Sequence, residues 1–174
     1  MGIFHWIYCM DLPDAVLLAA ALTLCFLLLK KHLGKYLWWR LVLGAALLLC
    51  LGAVLYTTVW NRGLSGEYRV YLQPLASYGL MRESGNREIL RSNFMNVLLF
   101  YPAGLVGASL LPGKWPVWCR GVLAFVMLTL LSIGIEAVQY AYRLGQVETD
   151  DVLHNALGAL LGSLCGMFPL RHKE

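Results

Sequence analysis

The sequence is poor in charged residues. Asp, Glu, Lys and Arg make up 14% of its 174 residues, whereas hydrophobic residues make up 59%. A soluble domain carries about 25% charged residues. This deficit argues against an ordinary water-soluble domain and places the chain among membrane proteins.

Motifs of several common chemistries are also missing. The five cysteines include no CxxC pair, so neither a zinc site nor a redox pair is predicted. There is no P-loop, GxSxG elbow or glycine-rich dinucleotide loop, and we expect no cofactor. His154 lies near two aspartates but without HExxH-type spacing, so we expect no metal. The basic residues form no patch on a soluble module, which argues against a nucleic-acid partner.

Five apolar runs are long enough to cross a bilayer core, which needs about 20 mainly apolar residues. They predict an all-α, polytopic membrane bundle of about five transmembrane helices, forming one domain over residues 1–174. Basic residues follow the first run and do not precede it, so we expect a retained helix and not a signal peptide. The runs are approximately Leu12–Leu29, Leu37–Trp60, Phe94–Leu111, Val117–Tyr142 and Val152–Leu170.

The distribution of Lys and Arg predicts the orientation. Cytoplasmic loops carry an excess of these residues. The first connection, the third connection and the tail are basic, so we expect the amino terminus outside and the carboxyl terminus in the cytoplasm. The connection over residues 61–93 is then an arginine-rich outer loop, and its apolar stretch Val70–Met81 predicts a partly re-entrant or interfacial segment.

Polar residues form one stripe on the fourth predicted span. Ser132, Glu136, Gln139 and Arg143 are spaced i, i+4, i+7 and i+11, which places them on one helix face. A carboxylate near mid-span costs roughly 2.5–3.5 kcal/mol, and less near the membrane surface. One interpretation is a structural clamp in which Arg143 or a loop arginine pairs with Glu136. The other is a binding or catalytic site.

The fifth predicted span begins with acids and continues with glycines. Asp151, Asn155, Gly158 and Gly162 also share a stripe, and Asp150 or Asp151 is well placed to cap the helix. Gly158, Gly162 and Gly166 form a GxxxGxxxG ridge, which lets another helix approach closely. We expect the ridge to pack against the fourth span and to bring Asn155 near Gln139.

The stretch NVLLFYPAG places polar and small residues on one face of the third span. Asn96, Phe100 and Gly104 share that face, and Pro102 lies within the same helix. Together with the stripes above, this face predicts that three spans converge at one level of the outer leaflet.

These blocks resemble the VanZ-like family of small bacterial membrane proteins. The family pattern is similar to N-x-x-x-F-x-P-x-G, then E-x-x-Q, then D-V-x-x-N-x-x-G-x-x-x-G, and the match covers residues 96–162. Two blocks depart from it: Tyr71 and Leu75 flank Pro74 where the family usually has Asn and Phe, and Glu148 replaces a common aspartate. The matching residues are Asn96, Phe100, Pro102, Gly104, Glu136, Gln139, Asp151, Val152, Asn155, Gly158 and Gly162.

The resemblance implies a multi-pass protein of the bacterial plasma membrane that acts on the cell envelope and lowers susceptibility to teicoplanin-type lipoglycopeptides. Its partners would be the lipid bilayer and a lipid-linked cell-wall precursor or lipoglycopeptide, with loop arginines binding phosphate or carboxylate groups. The oligomeric state stays open. Candidate ligand-binding residues are Asn96, Glu136, Gln139, Arg143, Asp150, Asp151, Asn155, Arg69, Arg87 and Arg91.

Two other functions stay open. An intramembrane enzyme that modifies a lipid or a peptidoglycan precursor would use Glu136 as acid or base, with Asp151 or His154 as a further catalytic candidate. A transporter is less favoured, because five spans do not divide into two equal inverted repeats.

Overall fold

The structure is a computed structural model that describes residues 12–62 and 68–168. Cys9, Glu67, the basic tail residues Arg171 and Lys173, and both chain ends lie outside the described residues. The described part is a helical bundle, which confirms the predicted fold class. Its α-helices are α1 (Leu12–Leu33), α2 (Leu37–Leu55), α3 (Ala76–Ser84), α4 (Arg87–Leu110), α5 (Val117–Tyr142) and α6 (Thr149–Met167).

Within the described residues, four helices are long and apolar enough to cross a membrane. They are Val16–Leu33, Leu37–Trp60, Arg87–Leu110 and Val117–Tyr142. The second includes a π-helical turn, Tyr56–Trp60, that extends α2. The fifth predicted span corresponds to α6, which is not among the four, so the predicted count of five is not confirmed. Its first turn carries two aspartates, and much of its length is buried inside the bundle.

Large apolar side chains cover the outside of the bundle. None of the residues Val16–Leu33 is buried, and Leu37, Leu41 and Trp60 are 83%, 75% and 82% exposed. Contact with water would cost roughly 25 cal/mol for each Å² of this surface. The chain is therefore a multi-pass membrane protein whose exposed helix faces suit lipid.

The glycine ridge of α6 packs against α4. A Cβ added at Gly158 would lie 2.1 Å from the carbonyl oxygen of Val97, and one at Gly162 would lie 2.0 Å from that of Tyr101. Gly166 lies as close to Leu105, and Gly104 of α4 lies against the backbone of Ala159. The ridge was expected to face the fourth predicted span, α5, but its glycines meet α4. Only a helix without Cβ atoms on this face can come so near.

The connection between α2 and α4 is partly ordered into regular structure. Strand β1 (Arg69–Tyr71) pairs in parallel with β2 (Gln146–Glu148), and Val70 lies opposite Val147. Helix α3 follows, and α4 begins at Arg87, seven residues before the predicted start of the third span at Phe94. Arg87 and Arg91 therefore belong to the first turns of α4 and not to a loop. An apolar run indicates only the part of a helix that suits the bilayer core, so the polar first turns of α4 were not predicted.

Candidate functional site

The polar stripe of α5 faces the interior of the bundle. Ser132, Glu136 and Gln139 are all buried, and Gln139 is 0% exposed. Arg143 does not share this environment. It ends α5 in the left-handed conformation, at φ 53°, and its guanidinium lies 5.9 Å from the centre of the Tyr68 ring. The stripe therefore contributes three residues to the interior, and Arg143 stays at the surface.

Arg62 joins the stripe to α6. Its Nη2 lies 3.2 Å from Oδ2 of Asp151, and its Nη1 donates to Oε1 of Gln139 at 3.2 Å and to the carbonyl of Gln146 at 3.0 Å. Gln139 in turn donates to the carbonyl of Thr58 at 2.8 Å. One arginine thus ties together the end of α2, the stripe of α5, strand β2 and the start of α6.

Asp151 is the meeting point of three segments. Besides Arg62, it accepts a 2.6 Å hydrogen bond from Nδ2 of Asn96 on α4. The regular geometry of a helix places Asn96 and Gly104 on the same face. The face of α4 that packs against α6 therefore also supplies the Asn96 donor. The structure thereby brings together three of the predicted ligand-binding residues, Asn96, Gln139 and Asp151.

Two further carboxylates, Glu136 and Glu148, lie beside this network. Oε2 of Glu136 accepts a 3.1 Å hydrogen bond from the backbone N–H of Glu148, and Glu136 is close enough to Asp151 for their charges to repel. Burial raises the pKa of the Glu148 carboxyl, and the neighbouring Asp151 and Asp150 raise it further, while Arg62 opposes them. Three acids therefore share one small region with one guanidinium.

Asp150 and His154 belong to a separate cluster that holds the α3 segment against α6. Asp150 accepts hydrogen bonds from the backbone N–H groups of Leu75 and Ser77 and from the Ser77 hydroxyl. Nε2 of His154 lies 2.8 Å from the hydroxyl of Tyr78. Neither aspartate caps α6: the cap position is Glu148, and it makes no side-chain cap bond. Asp150 instead receives N–H groups from another segment.

Asn155 is hydrogen-bonded to Ser132 of α5 and not to Gln139. Its Nδ2 donates to Oγ of Ser132 at 2.9 Å, and Ser132 lies one helical turn before Glu136 on α5. The expected neighbour was Gln139, but the Gln139 amide is hydrogen-bonded to Arg62 and Thr58. The buried Oδ1 of Asn155 has no hydrogen-bond partner within the described residues. Asn155 therefore links α5 to α6 below the acidic region.

The three predicted arginines lie around the rim of this end of the bundle. Arg69 lies on β1 opposite Gln146, and Arg87 is an exposed residue at the start of α4. Arg91 lies 3.6 Å from Glu88, one turn before it. The arginine that enters the network is Arg62, which was not among the predicted ligand-binding residues. No local signal separated it from the other arginines of its loop, because its partners are far away in sequence.

A cavity of about 390 Å³ opens beside the network. We call it the polar pocket. Its lining includes three acids, one paired arginine and two neutral polar side chains on α4. Within the described residues, no group of three or more His, Cys, Asp or Glu residues is arranged to hold a metal. The lining residues are Arg62, Glu88, Ile89, Ser92, Asn93, Gly145, Gln146, Glu148 and Asp151.

A family model described as VanZ/LLP1 matches residues 41–169, well over half of the chain. The chain belongs to the VanZ/LLP1 family. The match confirms the resemblance found in the sequence and includes every element that lines the polar pocket. No curated protein and no solved structure matches the chain. Within this VanZ-like chain, the family blocks around Asn96, Glu136 and Asp151 come together at Asp151, which lines the polar pocket.

Proposed function

We propose that this VanZ-like protein binds an envelope ligand in the polar pocket at the outer leaflet, and that binding lowers susceptibility to teicoplanin-type lipoglycopeptides. The observation that carries the proposal is the acid-lined cavity of about 390 Å³. Its walls come from the loop after α2, the start of α4 and the connection between α5 and α6. Ligand sites are concave pockets of about 300–1,000 Å³ in which a few convergent polar groups fix the ligand.

The charges of the polar pocket favour a ligand rich in hydrogen-bond donors. Glu88, Glu148 and Asp151 line it, and its single arginine, Arg62, is already paired with Asp151. Carboxylates accept hydrogen bonds and attract cations, and charge-assisted bonds of this kind are the stronger ones. We therefore propose ammonium or amide N–H groups as the recognised feature, in place of the phosphate or carboxylate groups expected from the arginine-rich loop.

A second candidate is an intramembrane enzyme, and one observation favours it. Glu136 is a buried carboxylate beside Asp151, and Glu148 donates a backbone N–H to it. A buried carboxyl next to a second acid is a typical arrangement for a general acid or base. In this scheme Glu136 would exchange a proton with a lipid or peptidoglycan-precursor substrate that reaches past the polar pocket, whose lining does not include Glu136. Asp151 would hold Arg62 in position.

Teicoplanin susceptibility tests the first proposal. A sensitive Gram-positive host would express the parent protein, Glu148→Gln or the control Glu83→Gln at matched membrane levels. Glu83 is exposed on α3 and does not line the polar pocket. We expect the parent and Glu83→Gln to protect and Glu148→Gln to lose protection, because removing one charge-assisted bond weakens binding roughly ten- to a hundredfold. A well-expressed parent that gives no protection against teicoplanin would contradict the resistance role.

The chemical profile of the envelope separates the two candidates. A binding protein leaves the lipids and muropeptides unchanged. An enzyme produces a changed profile that disappears in Glu136→Gln, a nearly isosteric substitution. An altered profile with the parent that persists in Glu136→Gln would count against Glu136 as the acid or base.

A further inference from the structure

The ends of α1, α4 and α6 and the start of α5 meet at the end of the bundle opposite the polar pocket. Nζ of Lys30, near the end of α1, donates to Oγ of Ser109 at 3.1 Å, to the carbonyl of Gly166 at 2.7 Å and to that of Phe168 at 3.0 Å. Ser109 also donates to Gly166 at 2.8 Å. Lys30 thus caps the carbonyl end of α6, where a cation is favoured by the helix dipole.

Arg120 brings a second cation to the same place. It lies in the first turns of α5 and is only 5% exposed. The neighbouring Gly121 contacts Met167, at the end of α6, and Arg120 is close enough to Lys30 for the two charges to repel. Its buried Nε has no hydrogen-bond partner, and among the residues that the structure describes no acid pairs with it.

Capping of α6 explains the position of Lys30 but not the burial of an unpaired Arg120. A buried guanidinium is normally paired with an anion, because an unpaired charge in a low-dielectric interior is strongly unfavourable. A second positive charge beside it increases the repulsion. The end carbonyls of α6 accept bonds from Lys30, and residues 12–62 and 68–168 place no carboxylate in an ion pair with Arg120. An anion from outside the chain would supply the compensating charge.

We propose that Lys30, Arg120 and Ser109 form a site for a phosphate-type oxyanion at the membrane surface. A guanidinium matches two phosphate oxygens at once. The single O–H of Ser109 would donate to the anion in place of the Gly166 carbonyl, which would keep its bond from Lys30. Lys30 contributes mainly charge, since Ser109, Gly166 and Phe168 occupy its hydrogens. The cluster reaches the surface where Lys30 donates to the carbonyl of Phe168, a residue that is 56% exposed. Helix ends lie at headgroup depth, where lipid phosphates lie.

The phosphate can come from an anionic lipid headgroup or from free phosphate, and thermal unfolding separates the two. Delipidated parent protein in neutral detergent would receive phosphatidylglycerol, a neutral glycolipid or inorganic phosphate at constant ionic strength. We expect phosphatidylglycerol to raise the unfolding midpoint by roughly 5 °C and the glycolipid to leave it unchanged. A similar shift with inorganic phosphate would assign the site to the free anion as well.

Two variants make the test specific. Arg120→Met should lose the shift yet unfold, without added anion, at or above the midpoint of the parent, because it removes an unpaired buried charge. Lys114→Gln removes an exposed charge from the preceding connection and should keep the shift. If neither anion stabilises the parent, or if Arg120→Met responds as the parent does, the proposal is overturned. None of these readouts depends on the polar pocket or on teicoplanin.

Discussion

Adjacent aspartates at the start of α6 serve two different purposes. Neighbouring residues of a helix point about 100° apart, so Asp150 reaches Leu75 and Ser77 while Asp151 reaches Arg62 and Asn96. The first bonds fix the α3 segment, and the second build the wall of the polar pocket. A sequence motif that contains both residues therefore combines a structural contact with a candidate ligand contact.

Glu148 is the residue whose ionisation should oppose folding. Its pKa is raised by burial and by Asp151 and Asp150, so the folded state binds the proton more tightly than the unfolded chain does. Stability is then lost as the pH rises from the ordinary glutamate pKa of about 4.3 through the raised folded value, and the loss persists above it. At neutral pH the ionised carboxylate is a cost to the fold.

We expect Glu148→Gln to raise the unfolding midpoint at pH 8 by about 1–3 °C, a figure that allows for solvent screening of this half-buried group. The gain over the parent should shrink as the pH falls and vanish near pH 4. Thermal unfolding across that pH range measures it. A lower midpoint for Glu148→Gln at pH 8 would show that the carboxylate stabilises the fold. A stabilised variant that loses teicoplanin protection would exclude misfolding as the cause.

The residues of the network differ in how far the sequence could predict them. Helical spacing alone placed Glu136 and Gln139 on one buried face, and Asn96 and Asp151 were found because each shares a face with packing residues. Arg62 was missed because it contacts Gln139 and Asp151 across 77 and 89 residues of sequence. Spacing reports neighbours within one helix, whereas a loop arginine finds its partner only after the helices have packed.

At the scale of elements, the contact between α4 and α6 holds the polar pocket together. The two helices approach until glycines of α6 lie against carbonyls of α4, and Asn96 and Asp151 meet at the end of this contact. Sequence patterns predicted the ridge but not its partner. Both α4 and α5 are apolar helices with suitable small residues, and the choice between them depends on the full three-dimensional fit.

Substitution of a ridge glycine should separate α4 from α6. A Cβ at Gly162 would lie 2.0 Å from the carbonyl oxygen of Tyr101, so we expect Gly162→Ala to destabilise the fold by about 1–3 kcal/mol through overpacking. The matched control is Gly134→Ala on α5, where a Cβ would meet nothing within 4 Å. That change should be neutral or stabilising by up to about 1 kcal/mol. Equal thermal midpoints for both variants would contradict the close packing.

Short elements were harder to predict than long ones. Apolar runs predicted the long helices to within about four residues, apart from the polar start of α4, because about 20 apolar residues have few alternatives to a membrane helix. Strands β1 and β2 have three residues each and pair across more than 70 residues of sequence. Neither strand is long enough to show an alternation of apolar and polar residues, and their pairing depends on the helices that bring them together.

For the whole molecule, the two ends of the bundle differ in charge and chemistry. One end holds the polar pocket with Glu88, Glu148 and Asp151. The other holds the half-buried Lys30 and the buried Arg120. Lys and Arg excess predicts that the second end faces the cytoplasm. The arginines around the polar pocket oppose this prediction, so orientation is the property on which the proposed outer-leaflet function depends most.

Cysteine labelling in intact cells would establish the orientation. In a variant without the native cysteines, Glu88→Cys would mark the rim of the polar pocket, where Glu88 has a 75% exposed side chain. Lys114→Cys would mark the exposed connection between α4 and α5. We expect a membrane-impermeant maleimide to label Glu88→Cys on intact cells and Lys114→Cys only after lysis, because the acid-lined end should face outward and the end with Lys30 and Arg120 inward. The reverse pattern would put the polar pocket in the cytoplasm, where it could not meet an extracellular lipoglycopeptide, while the phosphate site would then face the outer leaflet.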